Sequence, residues 1–217
     1  MPVAAIIPVK RFGAAKRRLA AALGAEPRAA LALAMLGDVL AAVARSRGIE
    51  HVIVVTGEPA AERASREHDV DVVADPRDAG HSQAAMLGIA RAEELGARAV
   101  ALLPGDCPLL DPSELDAALE RISEGRVGIV PDRHGTGTNA LLLAPPDAIK
   151  PAFGEESRDR HERLARAARH AAAIERLDSL ALDVDTPADL AALGEVLRAA
   201  PRRAPRTAAA LGALAQA

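Results

Sequence analysis

The chain has 217 residues, of which 50% are hydrophobic and 26% are charged. This composition is typical of a compact domain with a sizeable core and excludes a disordered chain. The formal net charge of −3, with two Phe residues and no Tyr or Trp, provides neither a basic field nor a stacking surface for nucleic acid. We therefore expect no nucleic-acid partner.

We also expect a cytoplasmic protein with no membrane partner. The single cysteine, Cys107, cannot form an intrachain disulfide. The first apolar stretch ends at Val9, which is too short for a secretory signal, and no uncharged apolar stretch reaches the roughly 18 residues of a membrane span.

Short apolar runs alternate with longer runs of helical periodicity along the chain, which is typical of an α/β sheet. We predict strands over residues 3–9, 51–56, 70–75, 99–104, 127–132, 138–144 and 180–185. We predict helices over residues 15–23, 27–46, 59–68, 81–96, 112–123, 157–171 and 187–199. Only a Gly- and Thr-containing turn, RHGTGTN, separates the strands at 127–132 and 138–144, so we expect an antiparallel insertion in a mostly parallel sheet.

The domain organisation follows from the same pattern. Residues 1–199 are predicted to form a single domain. Residues 200–217 include two prolines and are predicted to be a frayed or helical tail that contributes nothing to the core.

A basic stretch, PVKRFGAAKRRLA, follows the first strand. Lys10 lies in the predicted loop, and Lys16 and Arg18 lie at the start of the predicted helix, where positive charge opposes the helix dipole. A bound anion such as a phosphate chain would compensate for this charge, and a solvated basic face is the alternative. Neither a Walker A pattern nor a G-x-G-x-x-G pattern is present, which removes the main support for those nucleotide-binding classes.

Three carboxylates are candidates for a metal site. Asp106 interrupts the apolar run LLPGDCPLL after a predicted strand, and Asp183 and Asp185 would share one face of an extended strand in LALDVDTPADL. Hard oxygen ligands of this kind suit Mg²⁺. The alternative for the later stretch is a helix start, in which Thr186 is the N-cap and Pro187 the first helical residue.

Three further loops contain small polar residues suited to ligand contact. They are DPRDAGHSQAAMLGI, with Gly80 and Ser82, GTGTN, and FGEES, in which Ser157 could cap the next helix. Plain turns and helix caps explain the same residues equally well. Cys107 lacks a recognisable base nearby and is predicted to be an apolar filler.

The order of PVKRFGAAKRRLA, LLPGDCPLL, GTGTN, FGEES and LDVDTPADL resembles the guanylyltransferases of coenzyme F420 biosynthesis over about residues 2–197. Those enzymes join GTP to a small phosphorylated three-carbon acid, such as phosphoenolpyruvate or 2-phospho-L-lactate. The resemblance implies a three-layer Rossmann-like fold of the nucleotide-diphospho-sugar transferase (GT-A-like) type, and a homodimer.

The resemblance also implies roles for individual residues. It assigns Mg²⁺ to Asp106, Asp183 and Asp185. It assigns a catalytic role to the same three aspartates and to Lys16, triphosphate contacts to Lys10, Lys16 and Arg18, and the acid to Thr138, Asn139, Gly154 and Ser157. We also predict nucleotide contacts for Thr56, Gly80 and Ser82, although GHSQAA departs from the stretch GLNAA expected of the family.

The implied reaction is an in-line attack by a phosphate oxygen of the acid on the α-phosphorus of GTP, with release of pyrophosphate. A phosphate monoester is mostly dianionic at neutral pH, since its second pKa is about 6, so no general base is required. One alternative is a molybdopterin or sugar nucleotidyltransferase of the same fold, although PVKRFGAAK stands where the molybdopterin enzymes have a glycine-rich loop. Another is a non-catalytic nucleotide-binding regulatory module, which would not need three aspartates.

Overall fold

A single mixed sheet organises the molecule, which we describe from a computed structural model that covers residues 1–13, 16–20, 23–68 and 70–215. Its strands are β1 (Val3–Val9), β2 (His51–Thr56), β3 (Asp71–Ala74), β4 (Ala99–Leu102), β5 (Arg126–Pro131), β6 (Thr138–Ala144) and β7 (Ala171–Ile174). Their order in space is β3-β2-β1-β4-β6-β5-β7. Only β6 runs antiparallel to its neighbours, β4 and β5, which confirms the predicted antiparallel insertion.

Helices cover both faces of this sheet. They are α1 (Ala25–Val43), α2 (Pro59–Arg66), α3 (His81–Glu94), α4 (Pro112–Glu120), α5 (Ser157–Ala167), α6 (Pro187–Ala199) and α7 (Pro205–Leu214). None of the described helices is both long and apolar enough to cross a membrane.

Alternate residues of β1 enter two separate cores, as the two-residue period of a strand requires. Ala5 and Ile7 pack with α1 and α4 on one face, whereas Ala4 and Ile6 pack with α3 on the other. A β-carbon at Gly88 of α3 would overlap the side chain of Ile6, so glycine lets this helix approach the sheet closely. The result is the predicted three-layer architecture.

The chain reverses its direction of winding between β1 and β4. β1 is paired in parallel with β2 on one side and with β4 on the other, so the carboxyl ends of β1 and β4 lie side by side at one edge of the sheet. A crevice opens at such a point in parallel sheets, and ligands bind there.

The prediction of a strand over residues 180–185 is wrong. Asp178–Leu180 form a 3₁₀ turn, and the residues that follow have no regular structure up to α6. Both sides of β4 are already occupied by β1 and β6, so this segment has no free strand edge to join. It runs instead past the loop after β4, where the Val184 N–H donates to the Asp106 carbonyl over 3.4 Å.

Two predicted helices differ more than the other elements, whose ends lie within three residues of the prediction. Within the predicted helix at 15–23, the described residues form only a 3₁₀ turn at Arg17–Leu19, and Ala14, Ala15, Ala21 and Ala22 lie outside the described part of the chain. The helix predicted to reach residue 171 ends earlier, because Arg169 adopts a left-handed conformation with φ 61°. The following residues form β7, which pairs in parallel with β5.

The tail is helical, but the expectation that it adds nothing to the core is wrong. α7 packs on α1, and Ala204 is fully buried. The tail supplies no side chain to cap α7. Asp38 of α1 takes that role, since its carboxylate accepts hydrogen bonds from the Arg206 N–H (3.1 Å), the Thr207 N–H (2.8 Å) and the Thr207 hydroxyl (2.7 Å). An acidic group at a helix N-terminus is favourable both as an acceptor and through the dipole.

A second buried polar anchor, His161 of α5, joins the start of β6 to the loop before α5 on the opposite side of the sheet. Its Nε2 accepts from the Ala152 N–H over 2.9 Å, so its Nδ1 carries the proton and donates to the Thr138 hydroxyl over 3.0 Å. Burial lowers the pKa of His161 to about 4, which keeps the ring neutral at neutral pH.

Asp38→Ala is expected to lower the free energy of unfolding by about 2 kcal/mol, because it leaves two helix N–H groups and a buried hydroxyl without their acceptor. Urea unfolding at pH 7 measures this change, and amide hydrogen exchange should show faster exchange confined to α7. Thr207→Ser, which keeps the hydroxyl, is the matched control and should stay near wild type. Equal stability of Asp38→Ala and wild type would contradict this account of the tail.

The pKa of His161 predicts a loss of stability in mild acid. The unfolded chain binds a proton near the ordinary value of 6.5, whereas the folded protein resists protonation until about pH 4, so stability falls as the pH drops through this window. His161 alone should contribute on the order of 1 kcal/mol of loss between pH 7 and pH 5.5.

Urea unfolding of His161→Gln across this pH range tests the assignment. The variant should be less stable at pH 7 and should lose less stability on acidification than wild type. The exposed His134 provides a control, His134→Gln. An unchanged pH dependence in His161→Gln would show that this ring does not cause it.

Candidate active site

A cleft opens at the crevice between the loops that follow β1 and β4. It has an inner lobe of about 340 Å³, with apolar walls that include Phe12 and Leu36. An outer lobe of about 840 Å³ extends toward the β5–β6 hairpin and the start of α5. The two lobes share a set of mostly charged residues: Lys10, Arg18, His81, Pro104, Asp106 and Asp185.

The cleft brings together nearly all the residues selected from the sequence. Its lining includes Lys10, Lys16, Arg18, Gly80, Ser82, Asp106, Thr138, Asn139, Gly154, Ser157, Asp183 and Asp185. Thr56 is not among them. It is buried at the end of β2, where its hydroxyl donates to the Val9 carbonyl over 2.9 Å and accepts from the Glu58 N–H over 3.0 Å, so its polar atoms serve the turn after β2.

Lys16 lies at the centre of the charged part of the cleft. Its ammonium donates to Asp106 Oδ2 and, over 2.8 Å, to Asp185 Oδ1. The Lys16 side chain is 7% exposed, whereas those of Asp106 and Asp185 are 32% and 48% exposed. The alternative of a solvated basic face is therefore wrong for Lys16, which is paired with carboxylates inside the cleft.

A third apolar cluster lies under this site and positions the three segments that form it. Leu19 follows Lys16 by three residues, Leu109 follows Asp106 by three residues, and Val184 lies between Asp183 and Asp185. All three pack in one cluster, whose buried members are Leu19, Leu31, Met35, Leu109, Val184, Leu193, Leu197 and Ala204. Distant parts of the chain are thus held together by apolar burial, and the tail contributes to it through Ala204.

The ionisation of the cleft follows from this arrangement. Burial disfavours charge on both partners, but Asp106 and Asp185 raise the pKa of Lys16 above its ordinary value. The Lys16 ammonium in turn keeps the pKa of Asp106 below its ordinary value despite burial. Asp183 differs: burial and the neighbouring Asp106 and Asp185 carboxylates raise its pKa. The cleft is therefore rich in negative charge with one buried lysine in its midst.

The carboxylates match a divalent cation in chemistry, although their present arrangement suits an ammonium. Within residues 1–13, 16–20, 23–68 and 70–215, no group of three or more His, Cys, Asp or Glu side chains is arranged to hold a metal ion. Asp106 and Asp185 nevertheless already share one positive charge, that of Lys16, and carboxylate oxygens are the donors that Mg²⁺ prefers.

Asp183 and Asp185 are held by the start of α6. Thr186 and Asp189 form a complete capping box with Pro187 at the first helical position, which confirms the predicted helix start. Asp189 Oδ2 also accepts from the Asp185 N–H over 3.1 Å. Arg133 of the β5–β6 hairpin lies 2.5 Å from Asp189 Oδ1, so the capping residue also fixes the hairpin that forms the opposite wall.

The other wall of the outer lobe contains the residues expected to contact the acid. The Asn139 side-chain amide donates to the Leu180 carbonyl over 2.7 Å, which ties β6 to the segment that leads to Asp183. Ser157 is the first residue of α5 and does not cap it; the N-cap position is Glu156, in a left-handed conformation and without a side-chain cap bond. Ser82 accepts from the Phe153 N–H over 3.0 Å.

Sequence reasoning missed His81, which lines both lobes. It begins α3 directly after Gly80, whose φ of 109° requires glycine. Its ring meets Phe153 edge-on with centroids 4.5 Å apart. Burial and the nearby Lys10 lower the pKa of His81 to about 4 although Asp106 opposes this, so the ring is neutral. The signal was present in the sequence as a histidine at a glycine-preceded helix start.

Cys107 is fully buried, and its thiol lies 3.7 Å from the Leu180 carbonyl. Burial, assisted by the Asp106 and Asp183 carboxylates, raises the pKa of the thiol. It is therefore a poor nucleophile, and the prediction that Cys107 is an apolar filler is confirmed.

Comparison with solved structures supports the fold. The chain superposes on a protein assigned as a nucleotide-diphospho-sugar transferase from Desulfovibrio desulfuricans G20 with a TM-score of 0.74, 20% identity, and coverage of 97% of this chain and 94% of that one. It superposes on a nucleotidyl transferase from Methanothermobacter with a TM-score of 0.66 and 19% identity, over 88% and 95% of the two chains. The predicted α/β fold of the nucleotide-diphospho-sugar transferase type is confirmed.

Comparison of sequences gives a finer result. A phosphoenolpyruvate guanylyltransferase of Conexibacter woesei is 51% identical over 199 residues, which cover 91% of this chain and 89% of that protein. A protein of the same name from Sphaerobacter thermophilus is 38% identical over 88% of this chain and 91% of its own length. The model of the family described as "Guanylyl transferase CofC like" matches residues 3–198. The chain is therefore an enzyme, a nucleotidyltransferase, and belongs to the CofC-like guanylyl transferase family.

Proposed function

We propose that this enzyme transfers GMP from GTP to phosphoenolpyruvate or a closely similar phosphorylated three-carbon acid, with release of pyrophosphate, as a step of coenzyme F420 biosynthesis. Relatives that match most of the chain carry the name phosphoenolpyruvate guanylyltransferase. The observation that carries the proposal is the pairing of Asp106 and Asp185 with one cation, Lys16, in a cleft at the topological switch point.

The triphosphate is proposed to bind at the charged junction of the two lobes. Lys10 and Arg18 line both lobes, and their side chains, like that of Lys16, neutralise phosphate oxygens. The first turn of α3 begins at Gly80 without a side-chain cap and faces the same cleft, so its N–H groups offer donors to an anionic or polar part of the nucleotide.

The acid is proposed to bind in the outer lobe near Thr138, Asn139, Gly154 and Ser157. The N-terminal end of α5 faces this part of the cleft, and its N-cap residue Glu156 makes no side-chain cap bond. The Ser157 and Arg158 N–H groups already donate to the Gly154 and Thr136 carbonyls, so the helix dipole, more than free N–H donors, favours a carboxylate or phosphate here. His161 orients the Thr138 hydroxyl, because its Nδ1–H donates to that oxygen. The acid would thus lie opposite the carboxylates, on the far side of the triphosphate.

The chemistry needs positioning and neutralisation of charge. An oxygen of the acid's phosphate attacks the α-phosphorus of GTP, the bond from that phosphorus to the bridging oxygen breaks, and its electron pair leaves with pyrophosphate. The attacking phosphate is mostly dianionic already, so no base has to remove a proton. The fully buried Cys107, whose thiol pKa is raised, is a poor covalent carrier, which agrees with direct transfer.

Asp106, Asp183 and Asp185 are proposed to hold Mg²⁺. When bound, the metal would neutralise charge on the α-phosphate and on the departing pyrophosphate. The protein's own part is to present oxygen donors next to Lys10 and Arg18 and to hold both substrates in line.

Family membership argues against a molybdopterin or sugar nucleotidyltransferase and against a non-catalytic module. A cytoplasmic location and a homodimer stay predictions.

Incubation of the protein with GTP, Mg²⁺ and each of phosphoenolpyruvate, 2-phospho-L-lactate and 3-phosphoglycerate tests the proposal. We expect pyrophosphate release to depend on the acid and to be fastest with phosphoenolpyruvate, and we expect mass spectrometry to detect the guanylylated acid.

Asp106→Asn should lower turnover by at least about a thousandfold while retaining the circular dichroism spectrum, because charge stabilisation at the reacting phosphate is lost. Wild-type turnover by this variant would refute the proposed role of Asp106.

Asn139→Ala is expected to raise the KM for the acid by about tenfold, since a hydrogen bond to a charged group is lost, and to change the KM for GTP less than twofold. A fall in kcat is also expected, because Asn139 holds the Leu180 carbonyl ahead of Asp183. Steady-state kinetics with each substrate varied separately measures the split. Lys150→Ala, at an exposed position outside the cleft, is the control, and equal KM increases for both substrates would contradict the placement of the acid.

A further inference from the structure

We propose that Lys16 is a displaceable counter-cation: in the nucleotide-free enzyme its ammonium holds the position between Asp106 and Asp185, and it yields that position to a divalent cation only when a triphosphate is bound. The inference rests on the proposed function, because it takes these carboxylates to be the metal ligands. It adds an order to assembly of the site, in which the metal arrives with the nucleotide or after it.

The contacts of Lys16 support the first half of this inference. Its ammonium bonds both carboxylates, and its side chain is almost entirely buried between them. An ammonium and a divalent cation compete for the same two oxygen atoms, Asp106 Oδ2 and Asp185 Oδ1, since two positive charges so close together repel each other. Free Mg²⁺ must therefore displace an ion pair that is already formed.

The setting of Lys16 supports the second half. The Asp106 and Asp185 side chains are 32% and 48% exposed toward the cleft, so a ligand can approach them without unfolding the site. Lys16 itself has a left-handed backbone with φ 54°, and its carbonyl accepts from the Leu19 N–H over 2.9 Å at the start of a 3₁₀ turn. A residue with a β-carbon in this region of conformational space is strained.

A triphosphate provides that competing anion. Lys10 and Arg18 line the inner lobe together with Lys16, so phosphate oxygens bound by them there would come within reach of the lysine. Transfer of the ammonium from carboxylate to phosphate would leave Asp106 and Asp185 unpaired beside Asp183, three negative groups with no cation among them. The divalent cation is then favoured, and by linkage each of the two ligands must raise the affinity for the other.

The experiment measures Mn²⁺ binding directly by electron paramagnetic resonance, through loss of the free-ion signal, in the full-length nucleotide-free protein. Wild type should bind Mn²⁺ weakly. Lys16→Met removes the charge at similar volume and should bind Mn²⁺ at least about tenfold more tightly without nucleotide. Lys16→Arg keeps the charge and should stay weak. Lys16→Gln is a second neutral variant, and thermal melting of each protein establishes that it is folded.

The same titration is then repeated with the unreactive α,β-methylene analogue of GTP and no acid. Because the phosphates of the analogue bind Mn²⁺ themselves, the analogue alone is titrated in parallel, and the affinities compared are those beyond its own. The affinity of the wild type for Mn²⁺ should rise by at least about tenfold. The affinity of Lys16→Met should rise less, because this variant has no ammonium to compete with the metal. Asp106→Asn should abolish the tight binding in both settings.

Two outcomes separate the inference from the function on which it rests. If nucleotide-free wild type binds Mn²⁺ as tightly as Lys16→Met, and Asp106→Asn abolishes that binding, the carboxylates are metal ligands but Lys16 is not a competitor, and only the inference is overturned. If Asp106→Asn leaves Mn²⁺ affinity in the analogue complex unchanged, the proposed metal site fails and the inference fails with it.

Discussion

The ion pairs between Lys16 and the two carboxylates of Asp106 and Asp185 are the interaction on which the cleft depends. At an effective dielectric constant of 20, each close pair of opposite charges attracts by about 4 kcal/mol before the cost of removing the charges from water. The same carboxylates without a cation would repel one another, and Asp183, whose pKa is raised by burial and by the Asp106 and Asp185 carboxylates, adds to that repulsion. A positive charge at this point therefore stabilises the arrangement, whatever group supplies it.

Charge alone does not bring these residues together, because they come from distant parts of the chain. Leu19, Leu109 and Val184 bury their side chains in one apolar cluster, and each lies within three positions of a charged residue of the cleft. Burial of such side chains is worth about 1.5–3 kcal/mol each, comparable to the electrostatic terms that it must oppose. The tail closes this cluster at its outer end, since Asp38 fixes α7 and Ala204 completes the packing.

Local patterns were sufficient to predict β1, β2, β6 and α6 with their observed bounds, because a buried strand or a capping box can be recognised from a few consecutive residues. The strand predicted over residues 180–185 does not form. Its alternating apolar and acidic residues match a strand pattern, but a strand also needs a free neighbouring edge, and only the order of the strands in the sheet determines whether one is available. β7 was missed because Ala171–Ile174 consists mainly of alanine, which favours helix, and the left-handed turn at Arg169 has no sequence signature. The expected strand geometry of Asp183 and Asp185 was wrong, but both still reach the cleft because Val184 is buried between them.

The position of the candidate site could be predicted as far as the carboxyl ends of the strands, but the pairing within it could not. A basic stretch and separate aspartates suggested an anion on one side and a metal on the other. In the structure the expected anion site and the expected metal site overlap, because Lys16 of the basic stretch is paired with Asp106 and Asp185. Under the exchange proposed above, a triphosphate would take over the Lys16 ammonium, and a divalent cation would then pair with Asp106 and Asp185 in its place. The charge that interrupts the apolar run LLPGDCPLL is not unpaired in the structure, because Asp106 has the Lys16 ammonium beside it.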